Sequence, residues 1–164
     1  MPVPASSPPT SMPAGGSGTR LASFPRPVSD AVVIDTNLVF SALVSRRARL
    51  RELLLTEPGL RLLCPRFLFV ELFKHKERIV RATELPEEEL LEFLNALLTR
   101  VEFVDEAAIP MGTWVEARRL CRETDENDIA FIALALHLKC RLWSGDEELK
   151  RGLLDKGFNA FYEA

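Results

Sequence analysis

Histidine is scarce in this chain. Two residues, His75 and His137, stand among 164, at no ligand-like spacing from each other or from a cysteine. A zinc site of the His/Cys type is thereby excluded, and chemistry that relies on a histidine base has little to draw on. Cysteine is nearly as sparse: Cys64, Cys121 and Cys140 are odd in number and show no paired spacing, the pattern of buried thiols in a reducing compartment rather than of a disulfide framework. Aromatic residues make up 8% of the chain, with a single Tyr, and no aromatic-stacking signature of an RNA-binding module is present. No segment approaches the run of about 20 apolar residues that spans a bilayer. The first thirty residues lack the basic start and unbroken apolar stretch of a secretory signal. These absences predict a soluble, cytoplasmic protein without a membrane partner. Basic residues are outnumbered, 21 Lys and Arg against 24 Asp and Glu, for a net charge of −3. That balance excludes broad, non-specific adhesion to nucleic acid but leaves room for a local basic groove.

What is present falls into two parts. Residues 1–29 hold most of the eleven Pro, three of the eight Gly and many Ser. They are expected to form a disordered leader, with one folded domain over residues 30–164. That length suffices for a full core. From residue 30 onward, short apolar runs alternate with helix-length patterns. Strands are expected at 31–35, 60–64, 101–104 and 141–144, with a last edge strand at 158–162. Helices are expected at 37–44, 48–56, from Pro65 to about residue 81, from Pro86 to 100, and at 114–122, 126–138 and 147–154. Pro58-Gly59 stops the second helix, and Glu87, Glu88 and Glu89 suit the positive end of the helix that Pro86 begins. Alternation of this kind implies an α/β protein: a three-layer α/β/α sandwich with a central parallel sheet.

Acids occupy the ends of these apolar segments. Asp35 closes the run Ala31-Val32-Val33-Ile34, and Asp146 follows Leu142-Trp143-Ser144-Gly145. Charges at the C-terminal ends of parallel strands are aimed into one crevice. Glu71 lies inside Phe67-Leu68-Phe69-Val70-Glu71-Leu72-Phe73, where an unpaired carboxylate costs several kcal/mol or takes a proton, on the order of the burial penalty of a charge. Pairing with Lys74 or His75, at i+3 and i+4, is the purely structural alternative. Asp125 and Asp128 lie three apart ahead of Ile129-Ala130-Phe131-Ile132-Ala133-Leu134, and capping alone would explain either one. Taken together, the carboxylates repel one another unless a cation sits among them, and a divalent ion held by acids points to phosphoryl chemistry. Thr36, Asn37 and Ser144 are the neighbours able to orient them through hydrogen bonds.

Val33-Ile34-Asp35-Thr36-Asn37, Glu71 in an apolar helix, Asp125 to Asp128 before the Ile-Ala-Phe-Ile helix, and Trp143-Ser144-Gly145-Asp146 closely resemble, in that order, the PIN domain (PilT N-terminus) family. The resemblance spans about residues 31–158. It implies a flavodoxin-like α/β/α fold and a Mg²⁺- or Mn²⁺-dependent nuclease that cuts RNA, many relatives being VapC-type toxins of toxin–antitoxin pairs. The family's catalytic, metal-binding acids would correspond to Asp35, Glu71, Asp128 and Asp146, with Asp125 as an additional or substitute ligand. The Pro/Ser-rich leader and the helical insert 86–100 depart from a minimal toxin.

A basin of four carboxylates would accept one or two Mg²⁺ or Mn²⁺ ions. Substrate contacts are expected from two basic clusters, Arg46, Arg47, Arg49 and Arg51 after the first helix, and Lys74, Lys76, Arg78 and Arg81 around the helix that carries Glu71. The partners implied by analogy are an RNA substrate, an antitoxin filling the groove, and a second copy docked through the helix at 86–100. Two other classes compete. A receiver-like signalling module with an acidic Mg²⁺ pocket wants adjacent early acids and a Lys directly after a late strand, and this chain has neither. A phosphatase with an Asp nucleophile wants a second acid where Asn37 stands. A catalytically idle PIN fold that only binds RNA or protein stays open, with the acids counting against it.

Overall fold

A computed structural model describes residues 30–45 and 48–164. The expected leader, 1–29, and the cluster residues Arg46 and Arg47 lie outside the described residues. Four strands, β1 (Ala31–Ile34), β2 (Arg61–Pro65), β3 (Glu102–Val104) and β4 (Arg141–Trp143), form one sheet in the order β3-β2-β1-β4. Every pairing is parallel, with Val33 opposite both Leu63 and Leu142. The chain lays β2 and β3 to one side of β1 and β4 to the other. The crevice where strand order reverses therefore opens at the C-terminal ends of β1 and β4.

Among the described residues, eight α-helices flank the sheet in the expected three-layer α/β/α arrangement: α1 (Thr36–Val44), α2 (Ala48–Thr56), α3 (Phe67–Lys74), α4 (Lys76–Ala82), α5 (Glu87–Arg100), α6 (Met111–Leu120), α7 (Ile129–Leu138) and α8 (Glu147–Asp155). β1 is buried throughout, as a central strand covered on both faces must be. The most apolar helix, α7, buries residues 130–135 without interruption against β1, β2 and β4. Such a run has no polar stripe to give to solvent, so it belongs inside. Gly59, at φ +78°, makes the turn that ends α2.

Several expectations are corrected. Pro65 ends β2, opposite Val104, rather than starting a helix. The helix expected to run from there to residue 81 is two helices, because His75 leaves the helical region at φ −104° and ψ 9° and terminates α3. The expected edge strand at 158–162 is reduced to one bridge, Leu142 to Phe161, held by Leu142 N–H donating to Ala160 O at 2.8 Å and Tyr162 N–H to Leu142 O at 2.9 Å. A short 3-10 turn, Glu126–Asp128, precedes α7 where one continuous helix was expected. α6 begins and ends a little earlier than its apolar pattern suggests.

Candidate active site

Asp35 leaves β1 and caps α1: its Oδ1 accepts the Leu38 N–H at 2.7 Å. Capping occupies one oxygen only. The side chain is 1% exposed, and Oδ2 has no hydrogen-bond partner among the described residues. Burial pushes its pKa up to about 6; the Ser144 hydroxyl and the Leu38 N–H pull it back, the Asp146 charge raises it further, and the Lys150 ammonium lowers it. An orphaned oxygen on a buried carboxylate is costly unless it faces a ligand.

Asp146 has the same position one strand over. It caps α8, with Oδ1 accepting from Glu148 N–H at 2.9 Å and Leu149 N–H at 3.0 Å, while its own N–H donates to Ser144 Oγ at 3.0 Å. Its other oxygen, Oδ2, takes a 3.4 Å hydrogen bond from the Asn37 amide. Asn37 and Ser144 thus orient the two strand-end acids relative to each other. Thr36 stands beside them with its buried hydroxyl unpartnered.

The third arm comes from α3, whose exposure is inverted. Phe69, Val70 and Phe73 face outward, whereas Glu71 is 5% exposed. A helix expected to be dry all round turns its one acid inward. Lys74 Nζ and His75 Nε2 each lie 3.5 Å from a Glu71 oxygen, so the structural pairing weighed from sequence does form. The fourth arm is the turn before α7. Asp125 is exposed and caps that turn through Asn127 N–H at 3.0 Å, while Asp128 is buried. The Asp128 carboxyl is pushed up to about 7, first by burial and then by the charges of Asp35, Asp125, Asp146 and Glu71. Acids from separate stretches of the chain therefore act on one point.

Glu71, Asp125 and Asp128 also line a cleft of about 370 Å³ together with Thr36 and Asn37. Among the described residues, no three His, Cys, Asp or Glu side chains stand close enough to share one ion; the acids share a basin, not a formed cage. Of the expected substrate contacts, Lys74 and Arg78 line the cleft. Arg51 does not serve that purpose: its guanidinium donates to Ser45 O at 2.6 Å and Ala42 O at 3.3 Å, closing the end of α1.

The sequence profile of the PIN domain family matches residues 33–158, which takes in all of these acids. The chain belongs to the PIN domain family. One similar solved structure is that of VapBC2 from Rickettsia felis bound to a DNA fragment from their promoter, with a TM-score of 0.57 and 17% identity over 74% of this chain and 92% of that one. No curated protein matches. Three residues of this PIN domain's site were not singled out from sequence. Phe40 lies at i+4 from Thr36 and lines the same cleft, Asn127 lines it from the turn, and Lys150 lies at i+4 from Asp146 and acts on Asp35. Helical spacing places Phe40 and Lys150 beside recognised residues, but a Phe at core spacing and a Lys in a charged helix carry no mark of their own. The three cysteines are free and buried, as expected.

Proposed function

We propose that this PIN domain is a Mg²⁺- or Mn²⁺-dependent endoribonuclease. The observation that carries the reading is the burial of three carboxylates from separate stretches of the chain, Asp35, Glu71 and Asp128, with the Asp128 carboxyl pushed up to about 7 by burial and by the acids around it. Clustered, desolvated carboxylates are stable as anions only with a cation among them, and the free Oδ2 of Asp35 is an available ligand. Asp35 and Asp146 are the direct ligands in this reading, oriented by Ser144 and Asn37. Glu71 and Asp128 hold the water that attacks the phosphodiester or take its proton, and Asp125 is a further ligand at the rim. When bound, the ion supplies a water acidic enough to attack phosphorus and offsets charge on the scissile phosphate. Lys74, on the cleft wall, holds the substrate backbone.

The role of toxin, held in check by an antitoxin, is supported by the likeness to a VapBC2 structure; cytoplasmic location and homodimer formation rest on family analogy alone. A second reading, a catalytically idle PIN fold that binds RNA or protein, is favoured by the Lys74 and His75 contacts that already partner Glu71. Incubating the full chain with unstructured RNA in Mg²⁺, in Mn²⁺ and in chelator decides between them. Cleavage with either ion, lost in chelator and reduced at least about 100-fold in Asp35→Asn and Asp146→Asn, is the expected result, on the scale of losing an electrostatic stabiliser of the transition state. Cleavage that survives both substitutions ends the nuclease reading at this site.

A further inference from the structure

Beside the acids, part of the cleft lining is built from flat, polarisable groups. Phe40 of α1 is half-buried and lines the cleft with His75 and Arg78 from the α3–α4 junction. The Arg78 guanidinium carbon lies 5.0 Å from the Phe40 ring centroid, and the His75 ring meets Phe40 edge-on, with centroids 6.4 Å apart and planes at 87°. The break at His75 makes this grouping possible, since it ends α3 and starts α4 in a new direction. Among the described residues Arg78 has no carboxylate partner, unlike Arg81, which lies 3.7 Å from Glu77. Its guanidinium is therefore backed by a ring instead of neutralised. Two amides, Asn37 and Asn127, line the same space, each donating to an acid of the basin, Asp146 and Asp125 respectively. A second cleft of about 390 Å³ shares Lys74, His75 and Arg78 with the first and extends to Arg81 and its partner Glu77, so Lys74 and Arg78 are the cations that border both.

We propose that Phe40, His75 and Arg78 form a nucleobase-stacking subsite beside the acidic basin, in which an unpaired base of the nucleotide next to the scissile phosphate packs against the Phe40–Arg78 wall. The inference rests on the nuclease reading and adds a substrate preference to it. The cleft has the size of a small-molecule site, roughly 300–1,000 Å³, which suits one splayed-out nucleotide. Single-stranded nucleic acid is held by this combination of cationic track and π-face. Stacking tolerates every base, so the subsite favours an unpaired base without selecting which one.

The test is binding, measured with the full-length unsubstituted chain in chelator so that no cleavage intervenes. The probes are a fluorescent single-stranded heptaribonucleotide and the same backbone with the central positions abasic. The base-bearing oligonucleotide is expected to bind about 10-fold more tightly, the order of one stacked base. In Phe40→Leu and, separately, Arg78→Lys, the gap is expected to shrink to about 2-fold or less while affinity for the abasic backbone is unchanged, since neither substitution alters charge. Arg78→Lys is exposed and leaves the packing of α1 alone, so it decides the matter if Phe40→Leu loosens the fold. Equal affinity for the two probes, no binding of either, or a gap that persists in Arg78→Lys overturns the subsite. A base-dependent gap in a chain that never cleaves RNA leaves the subsite standing and removes the nuclease reading; cleavage without the gap does the reverse.

Discussion

At the scale of single residues, the site is a set of carboxylates held where they are electrostatically unwelcome. Asp35 shows the cost. Its pKa rises from 3.8 unfolded to about 6 folded, first because burial strips water from the charged form. The folded state therefore binds this proton more tightly than the unfolded chain does. The stability it contributes is complete below about pH 4 and disappears as pH rises through about 6. At pH 7.5 the ion-free protein carries a penalty on the order of 3 kcal/mol from this residue, because each tenfold gain in proton affinity on folding is worth about 1.4 kcal/mol. Asp35→Asn retains a cap acceptor for Leu38 N–H and cannot ionise. It is expected to be more stable than the parent by roughly 1–3 kcal/mol at pH 7.5 in chelator, with about two thirds of the advantage gone by about pH 4.5. Urea melts at the two pH values measure this, and parallel pH profiles for both proteins would show that Asp35 does not titrate in this way. Asp128, raised to about 7, adds to the slope in the same direction.

At the scale of elements, two of the acids carry structural duties that can be separated from chemistry. Asp146 caps α8 through two backbone N–H groups, as Asp35 caps α1 through one. Asp146→Ala should lose about 1 kcal/mol of stability along with activity, whereas Asp146→Asn should lose activity and keep most of the cap. Equal thermal midpoints for the two would mean the cap contributes nothing. Arg100, the last residue of α5, clamps the end of α2: Nε donates to Leu54 O at 2.7 Å, and Nη2 to Glu57 O at 2.6 Å and Leu60 O at 3.3 Å. Carbonyls at a helix end lack the intrahelical donors that satisfy those further in. Arg100→Ala is expected to cost about 1–3 kcal/mol in denaturant melts, with Arg100→Lys recovering part of it.

Elements were legible where local signals agreed with burial. The run at 31–34, Pro86 with its three Glu, and the apolar helix before β4 each satisfy propensity, capping and packing at once. They were misread where tertiary contacts override local ones. Pro65 has the chemistry of a helix start, yet it extends β2 because Val104 lies opposite it. No Pro or Gly marks the break at His75. Phe158, Phe161 and Tyr162 read as a strand, but they pack as ring clusters, Phe158 on Phe161 and Tyr162 on Trp143, and leave one bridge.

At the scale of the whole molecule, the sheet order sets where the acids meet. A divalent ion that binds only the folded basin stabilises the entire domain: at about 100 times its dissociation constant the gain is about 2.7 kcal/mol, or roughly 5–10 °C for a chain of this size. Because the ion must displace protons from Asp35 and Asp128, the gain should be larger at pH 7.5 than at pH 5.5. Thermal melts with Mg²⁺ and Mn²⁺ at both pH values test this, and an equal shift in the Asp35→Asn, Asp146→Asn double variant would place the ion elsewhere.

The order of the motifs, the α/β class and the identity of the acids were determined by the sequence alone, since apolar period, caps and strand-end charges are local properties of the chain. Tertiary structure alone decided which way Glu71 points, that Asp128 is buried while Asp125 is not, and that Phe40 meets Arg78 across two helices. Those outcomes depend on where α1, α3 and the turn before α7 come to rest against the sheet. Packing of that kind is a sum of many weak contacts between residues far apart in sequence, and no single stretch of the chain encodes it.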